Sequence, residues 1–261
     1  MRGSRLLFAL FVILLGLGAA SARAATVLAC ADQAEMPPFV FAERINGQKS
    51  SHMTGASVDL LRQIGQRHGW DLQVQLLPWA RCVAMVSSGG AQIAINLSEA
   101  DAKANGILLS VPYFTMHNVY FTSRRARPQG IVLKHLDELR QFNLCGLGGH
   151  HFEAFGIAST NVDRGTTLGY EQLITKLHLG RCDLFIDSRE TMAGQYLINP
   201  RLRSLMVDGT LVNQPLPGKP TRDLYFGVAP GEATIQQQLN AGLEQLSKEK
   251  KLDTLLEQYL Q

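Results

Sequence analysis

After residue 24 the sequence contains no apolar run approaching the roughly 20 residues that a membrane-crossing helix needs. It also lacks a surplus of charge. Of the 25 basic residues, Arg2, Arg5 and Arg23 lie in the first 24 positions, and without those three the basic residues equal the 22 acidic ones. A balanced chain offers no electrostatic footprint for nucleic acid or an anionic membrane surface. The four cysteines include no Cys-x-x-Cys pair, which removes the commonest zinc and redox motifs. No low-complexity tract and no short-period repeat is present, so solenoid and disordered architectures are not indicated. Neither a Ser-His-Asp set nor a metal constellation is legible, and no cofactor is expected.

What is present begins with a basic start, Arg2 and Arg5, followed by the apolar stretch Leu6 to Ala20 and the small-residue site Ala22-Arg23-Ala24. This pattern fits a secretory signal cleaved after Ala24 better than an anchor, because the run is at the short limit for spanning and Arg23 interrupts it. The mature chain is expected in the periplasm. An even number of cysteines in an oxidising compartment favours disulfides.

Along the chain, short apolar segments alternate with helical periodicity. Residues 26–31 read as a strand ending at Asp32, followed by a loop with Pro37, Pro38, Phe39 and Phe41. Gly55 opens an amphipathic helix with Val58, Leu60, Leu61 and Ile64 at helical spacing, and Gly69 stops it. A strand over 71–77, a helix from Ala80 to Val86 and a buried strand over 92–96 follow. After the polar stretch Arg124 to Gln129 the same grammar restarts: a strand over 143–146, the turn Gly148-Gly149-His150, a helix over 170–179 and a strand over 182–186 ending at Asp187. A strand over 224–229 and two helices, 233–248 and 252–260, close the chain. Alternation of strands and helices predicts largely parallel sheets.

In this order the segments resemble the bacterial periplasmic solute-binding proteins of family 3, which include the amino-acid receptors of ABC importers. The resemblance rests on the strand ending near Asp32, Pro38-Phe39-Val40-Phe41, Gly55 to Leu60, Leu77-Pro78-Trp79, Ser110-Val111-Pro112-Tyr113, and Gly180 to Asp187. It implies an α/β, two-lobed type II periplasmic-binding-protein fold. Each lobe would be a mostly parallel sheet flanked by helices, and two hinge crossovers, near 121–125 and 223–227, would join them. The first lobe is expected over 25–121 with a return over 228–261, and the second over 126–222. The implied partners are a small polar solute, bound by a monomer, and the membrane permease of an ABC importer.

In such receptors the aspartate matching Asp187 pairs with the ligand ammonium, and a threonine and an arginine grip its carboxylate. Here Ser98 and Lys103 fall at the latter positions. Asp32, Phe39, Trp79, Ser98, Lys103, Gly149, His150 and Asp187 are therefore the expected ligand-binding residues. Bland alternatives stand beside them. Asp187 suits the N-cap of a following helix with Glu190 as capping-box partner; Trp79, Phe39 and Phe41 suit the core as well as a cavity wall; Gly148-Gly149 suits an ordinary turn. His150 and His151 lack a third ligand nearby, so no metal is expected. Three disulfide connectivities are possible. One bridge per lobe, Cys30 with Cys82 and Cys145 with Cys182, avoids fastening the lobes across a hinge.

The chain is expected to bind rather than catalyse. The rival readings are a periplasmic dehydratase on the same fold, with Glu190 near Asp187 as a general acid, and a ligand-sensing partner of a membrane signalling protein.

Overall fold

The structure is a computed structural model that describes residues 25–148, 152, 157–158, 161–163, 165, 167, 169–207 and 210–259. The expected signal segment, Gly149 and His150 lie outside the described residues. Among the described residues no helix is long and apolar enough to cross a membrane.

The first part of the chain runs β1 (Ala25–Asp32), β2 (Phe41–Ile45), β3 (Gln48–Thr54), α1 (Ala56–Arg67), β4 (Trp70–Leu77), α2 (Trp79–Ser87), β5 (Ile93–Leu97), α3 (Glu99–Asn105) and β6 (Leu108–Leu109). β1 lies parallel to β4 on one side and β5 on the other. β2 and β3 form a hairpin whose Asn46-Gly47 turn has positive φ at both residues, 51° and 79°, the backbone that tight hairpin turns require. Gly55 explains why α1 starts where it does. Its φ is 118°, and a Cβ there would stand 2.3 Å from the Phe39 carbonyl oxygen. That close approach lets the Pro38 and Phe39 carbonyls accept from the Ala56 and Ser57 N–H groups, 2.9 Å each, serving two donors that a helix start leaves open.

β7 (Phe114–Ser123) carries the chain onward, followed by a 3-10 turn over Leu136–Gln141, β8 (Leu144–Cys145), β9 (Val162–Asp163), α4 (Tyr170–His178), β10 (Leu184–Ser188), α5 (Arg189–Ile198), α6 (Pro200–Met206), β11 (Leu211–Pro215), β12 (Thr221–Val228), α7 (Ala233–Lys248) and α8 (Lys251–Glu257). The long sheet has the order β4-β1-β5-β12-β7-β10-β8-β9. β10, β8 and β9 are parallel to one another. β7 and β12 pair antiparallel with each other over Phe114–His117 and Thr221–Leu224. Beyond that, β7 pairs with β10 and β11, whereas β12 pairs with β5 and β6. Two strands thus join two α/β lobes. Phe121 pairs within the second lobe, and β12 passes from β7 to β5 between Leu224 and Tyr225.

Each lobe buries its own core. In the first, Leu60, Leu61 and Ile64 of α1, Ile93 and Ile95 of β5, and Leu239 and Leu243 of α7 are almost fully enclosed. In the second, Phe121 and Phe185 stack with ring centroids 4.7 Å apart, beside Leu173, Ile174 and Leu177 of α4. Full burial of such a side chain stabilises by about 1.5–3 kcal/mol. Both expected disulfides are present, Cys30–Cys82 and Cys145–Cys182, each with a Cα separation of 5.7 Å.

The lobes also touch away from the connecting strands. Gln195 of α5 is 2% exposed and its Nε2 donates to the carbonyls of Ala34 and Glu35, 3.3 and 3.2 Å away. One residue earlier, a Cβ on Gly194 would stand 2.4 Å from the Pro37 carbonyl. Only glycine permits that approach.

Candidate functional site

A cavity of about 350 Å³ opens beyond the carboxyl ends of β1 and β5, beside the paired strands β7 and β12. This is the place where open α/β sheets hold ligands. Each side of it is built locally. Asp32 ends β1, and its Oδ1 accepts from the Ala34 N–H at 3.0 Å, which turns the chain into the loop toward Pro38. Trp79 begins α2 after Pro78 and is 7% exposed, one edge on the cavity and the rest in a cluster with Cys30 and Cys82. Ser98 caps α3: its hydroxyl accepts from the Asp101 N–H at 3.1 Å and donates to Asp101 Oδ2 at 2.9 Å.

Asn96, another lining residue, has a positive φ of 63°, a sparsely populated conformation that asparagine tolerates better than most residues. Its Oδ1 accepts from the Ser57 hydroxyl at 2.8 Å and the Tyr113 hydroxyl at 2.6 Å. Burial holds the Tyr113 phenol protonated. Nearby, the Ser110 hydroxyl accepts from the Phe226 N–H at 3.0 Å. The Ser-Val-Pro-Tyr motif therefore fixes the bent end of β5 and aligns β12.

The wall is predominantly acidic. Asp32, Glu99, Asp101 and Asp223 line it against two cations, Lys219 and Arg222. Glu99 Oε1 accepts from the Tyr225 hydroxyl at 2.7 Å, and Asp223 Oδ1 from the Thr115 hydroxyl at 2.6 Å. Burial first, then the hydrogen bond to Glu99 and the charges of Glu99 and Asp223, push the Tyr225 phenol up to about 12. Such a surround favours a ligand with a cationic part.

The expected site residues divide. Asp32, Trp79 and Ser98 lie along the cavity. Phe39 does not. It is fully buried, packed on Phe114 with ring centroids 5.5 Å apart, because its backbone caps α1 and turns the side chain into the core. Lys103 is exposed on α3 and outside the lining. Ser98 starts that helix so that Asp101 and Ala102 face inward, and position 103 turns outward. Asp187 is likewise not in the cavity wall. Its Oδ2 accepts from the Tyr170 hydroxyl at 2.8 Å, its Oδ1 from the Ser188 N–H at 2.6 Å, and Arg222 Nη2 stands 3.9 Å from it. Burial, with Asp187 and Asp32 nearby, holds the Tyr170 phenol far above its ordinary range.

The helix-capping alternative for Asp187 is also corrected. Ser188 is the N-cap of α5, accepting from the Thr191 N–H at 3.1 Å. Glu190 reaches the other way, accepting from the His117 N–H at 3.0 Å and pairing with its Nδ1 at 2.7 Å. Sequence reasoning passed over Asn96, Glu99, Asp101, Asn118 and Thr221 to Asp223. The one local signal was the polar triplet Thr221-Arg222-Asp223 set directly before an apolar strand.

Two α/β lobes joined by paired strands, with a polar cavity at the strand ends beside the join, define a binding protein of the periplasmic type. The chain belongs to the bacterial extracellular solute-binding proteins, family 3, whose model matches residues 28–261. No curated protein matches it. Among solved structures it is similar to the amino acid ABC transporter substrate-binding protein AbpA from Streptococcus pneumoniae bound to L-arginine, with 16% identity, a TM-score of 0.69 and coverage of 90% of this chain and 94% of that one. A histidine kinase sensor domain with similarity to periplasmic binding proteins aligns at 20% identity and a TM-score of 0.70, covering 91% and 97%. An ancestral amino acid-binding protein, a precursor of cyclohexadienyl dehydratase, aligns at 17% and 0.66, covering 91% and 96%. At these identities the likeness establishes the fold.

Proposed function

We propose that the chain captures a small polar solute, an amino acid or a related compound, and presents it to the membrane permease of an ABC-type importer, working as a periplasmic monomer once residues 1–24 are removed. The observation that carries this reading is the cavity of about 350 Å³ at the join of the lobes, walled by charged and polar side chains. Its size is at the small end of ligand pockets. The similar AbpA protein, with L-arginine bound, supports an amino acid as the ligand class.

Closure is proposed to pivot where β7 and β12 part, around Met116 to Asn118 and Pro220 to Arg222. β7 leaves β12 for β10 and β11 beyond His117, and β12 leaves β7 for β5 beyond Leu224, so a modest backbone change along the ladder they share swings one lobe against the other. A thermal-shift screen over amino acids, polyamines, organic acids and dipeptides tests the reading. One compound class is expected to raise the melting temperature, since a ligand at 100 times its dissociation constant stabilises by about 2.7 kcal/mol. No shift with any class defeats the proposal. Turnover of a stabilising compound into product replaces it with the enzyme reading.

A further inference from the structure

Two polar side chains in the cavity wall have hydrogen-bonding capacity that the protein does not use. Arg222 of β12 lines the cavity, yet its Nε is buried with no hydrogen-bond partner. The nearest charge, Asp187 Oδ1, stands 3.9 Å from Nη2, beyond hydrogen-bond reach. Asn118 of β7 is 2% exposed; its Nδ2 donates to the Lys219 carbonyl at 3.0 Å, while its Oδ1 is buried with no partner. Bulk solvent reaches neither orphaned atom. Buried polar atoms are nearly always hydrogen-bonded, and leaving one unserved is costly. Here an orphaned donor and an orphaned acceptor share one cavity wall, on the two strands that connect the lobes.

The two atoms ask for opposite partners. A guanidinium whose Nε has no partner matches a carboxylate, which it grips through a planar fork, and Lys219 adds positive charge along the same wall. Asn118 Oδ1 needs an N–H donor, and the carboxylates of Glu99 and Asp223 in the same cavity favour a cationic one.

We propose that the connecting strands themselves hold the solute: Arg222 binds its carboxylate and Asn118 Oδ1 accepts from its ammonium or another N–H group. This rests on reading the cavity as the solute site, and it names the residues and the ligand class. Placing both contacts on β7 and β12 makes ligand occupancy and lobe movement events of the same strands.

L-arginine and agmatine are the probes, because they share a guanidinium-ended chain and differ in the carboxylate, and the acidic lining suits their positive charge. Titration calorimetry on the purified protein at fixed ionic strength is expected to show L-arginine binding tighter than agmatine by about 30-fold or more, the range for a charge pair closed off from water. Arg222→Gln should erase that preference by weakening L-arginine alone. Arg222→Lys, which keeps the charge and loses the fork, should recover part of it and answers for Arg222→Gln if that variant does not melt cooperatively. Asn118→Leu should weaken both probes. Full L-arginine affinity in Arg222→Gln, an equal loss of both probes in it, or undiminished binding in Asn118→Leu overturns the proposal. If the wild type binds neither probe while another amino acid stabilises it, the solute-binding reading stands and this inference falls.

Discussion

The two lobes are written in the same grammar and use it differently. In each, an apolar strand delivers an aspartate: Asp32 at the end of β1 and Asp187 near the end of β10. Asp32 lies along the cavity, whereas Asp187 is taken up by Tyr170, Ser188 and the charge of Arg222. The difference is not in the strands. It lies in what faces them, since a buried tyrosine at the start of α4 donates its hydroxyl to Asp187 Oδ2. β1 lies one strand in from the connecting strands and β10 directly beside them, so an aspartate at a strand end need not hold the same role in both lobes.

The staples are the most symmetrical feature, and breaking them is the strongest test of how alike the lobes are. The bridges close sequence separations of 52 and 37 residues, for which chain-entropy arguments give about 4 kcal/mol each. Replacing either cysteine pair by serine is expected to lower stability by nearly the same amount in denaturant titrations. A markedly smaller loss for one pair would show that its lobe is held by other means.

Asp187→Ala sharpens the contrast between the aspartates. It strips the Tyr170 hydroxyl of its acceptor, and a stability loss of about 1–3 kcal/mol is expected from thermal or denaturant unfolding. Asp32→Ala should instead act on solute affinity more than on folding. The comparison between the lobes collapses if the two variants behave alike.

The smallest effect concerns Glu35, 4% exposed in the loop that meets α5. Burial pushes its carboxyl up, but hydrogen bonds from Arg44, Lys49 and the Ala42 N–H, at 2.8 to 2.9 Å, pull it below its ordinary 4.5. A carboxyl lowered by folding stabilises above its unfolded value and loses that contribution as pH falls through the folded one. Stability should therefore decline with acid below about pH 4.5. Glu35→Gln should flatten that decline, and an unchanged acid profile in the variant would remove Glu35 from the account.

Much of the scaffold was readable because its signals are local. Apolar segments bounded by Gly69, Pro78 and Gly89-Gly90 placed β4, α2 and β5 within a residue or two, and α4 and α7 started where periodicity put them. The hairpin β2–β3 escaped because its second strand, Gln48 to Thr54, is largely polar and exposed. β7 escaped because one strand serves both lobes, and no sequence pattern announces a change of partner. The site was harder still. Lys103 depended on helix phase, in which one residue is about 100°. Asn118 and Arg222 come to one cavity wall through a pairing of strands roughly a hundred residues apart in the chain, and nothing in their neighbourhoods marks them.

The contact of α5 on the loop from Ala34 to Pro37 bears on evolution more than on architecture. Gly194 and Gln195 reach backbone atoms across the lobes, and none of the participants lines the cavity. Under the proposed closure, whatever free energy that contact adds to a closed form would be the same for every solute, so each 1.4 kcal/mol would multiply all association constants by about ten and leave their ratios untouched. Substitution at 194 or 195 thus retunes grip and release without altering discrimination, and the lining residues remain free to drift toward a new ligand while α5 sets how firmly it is kept.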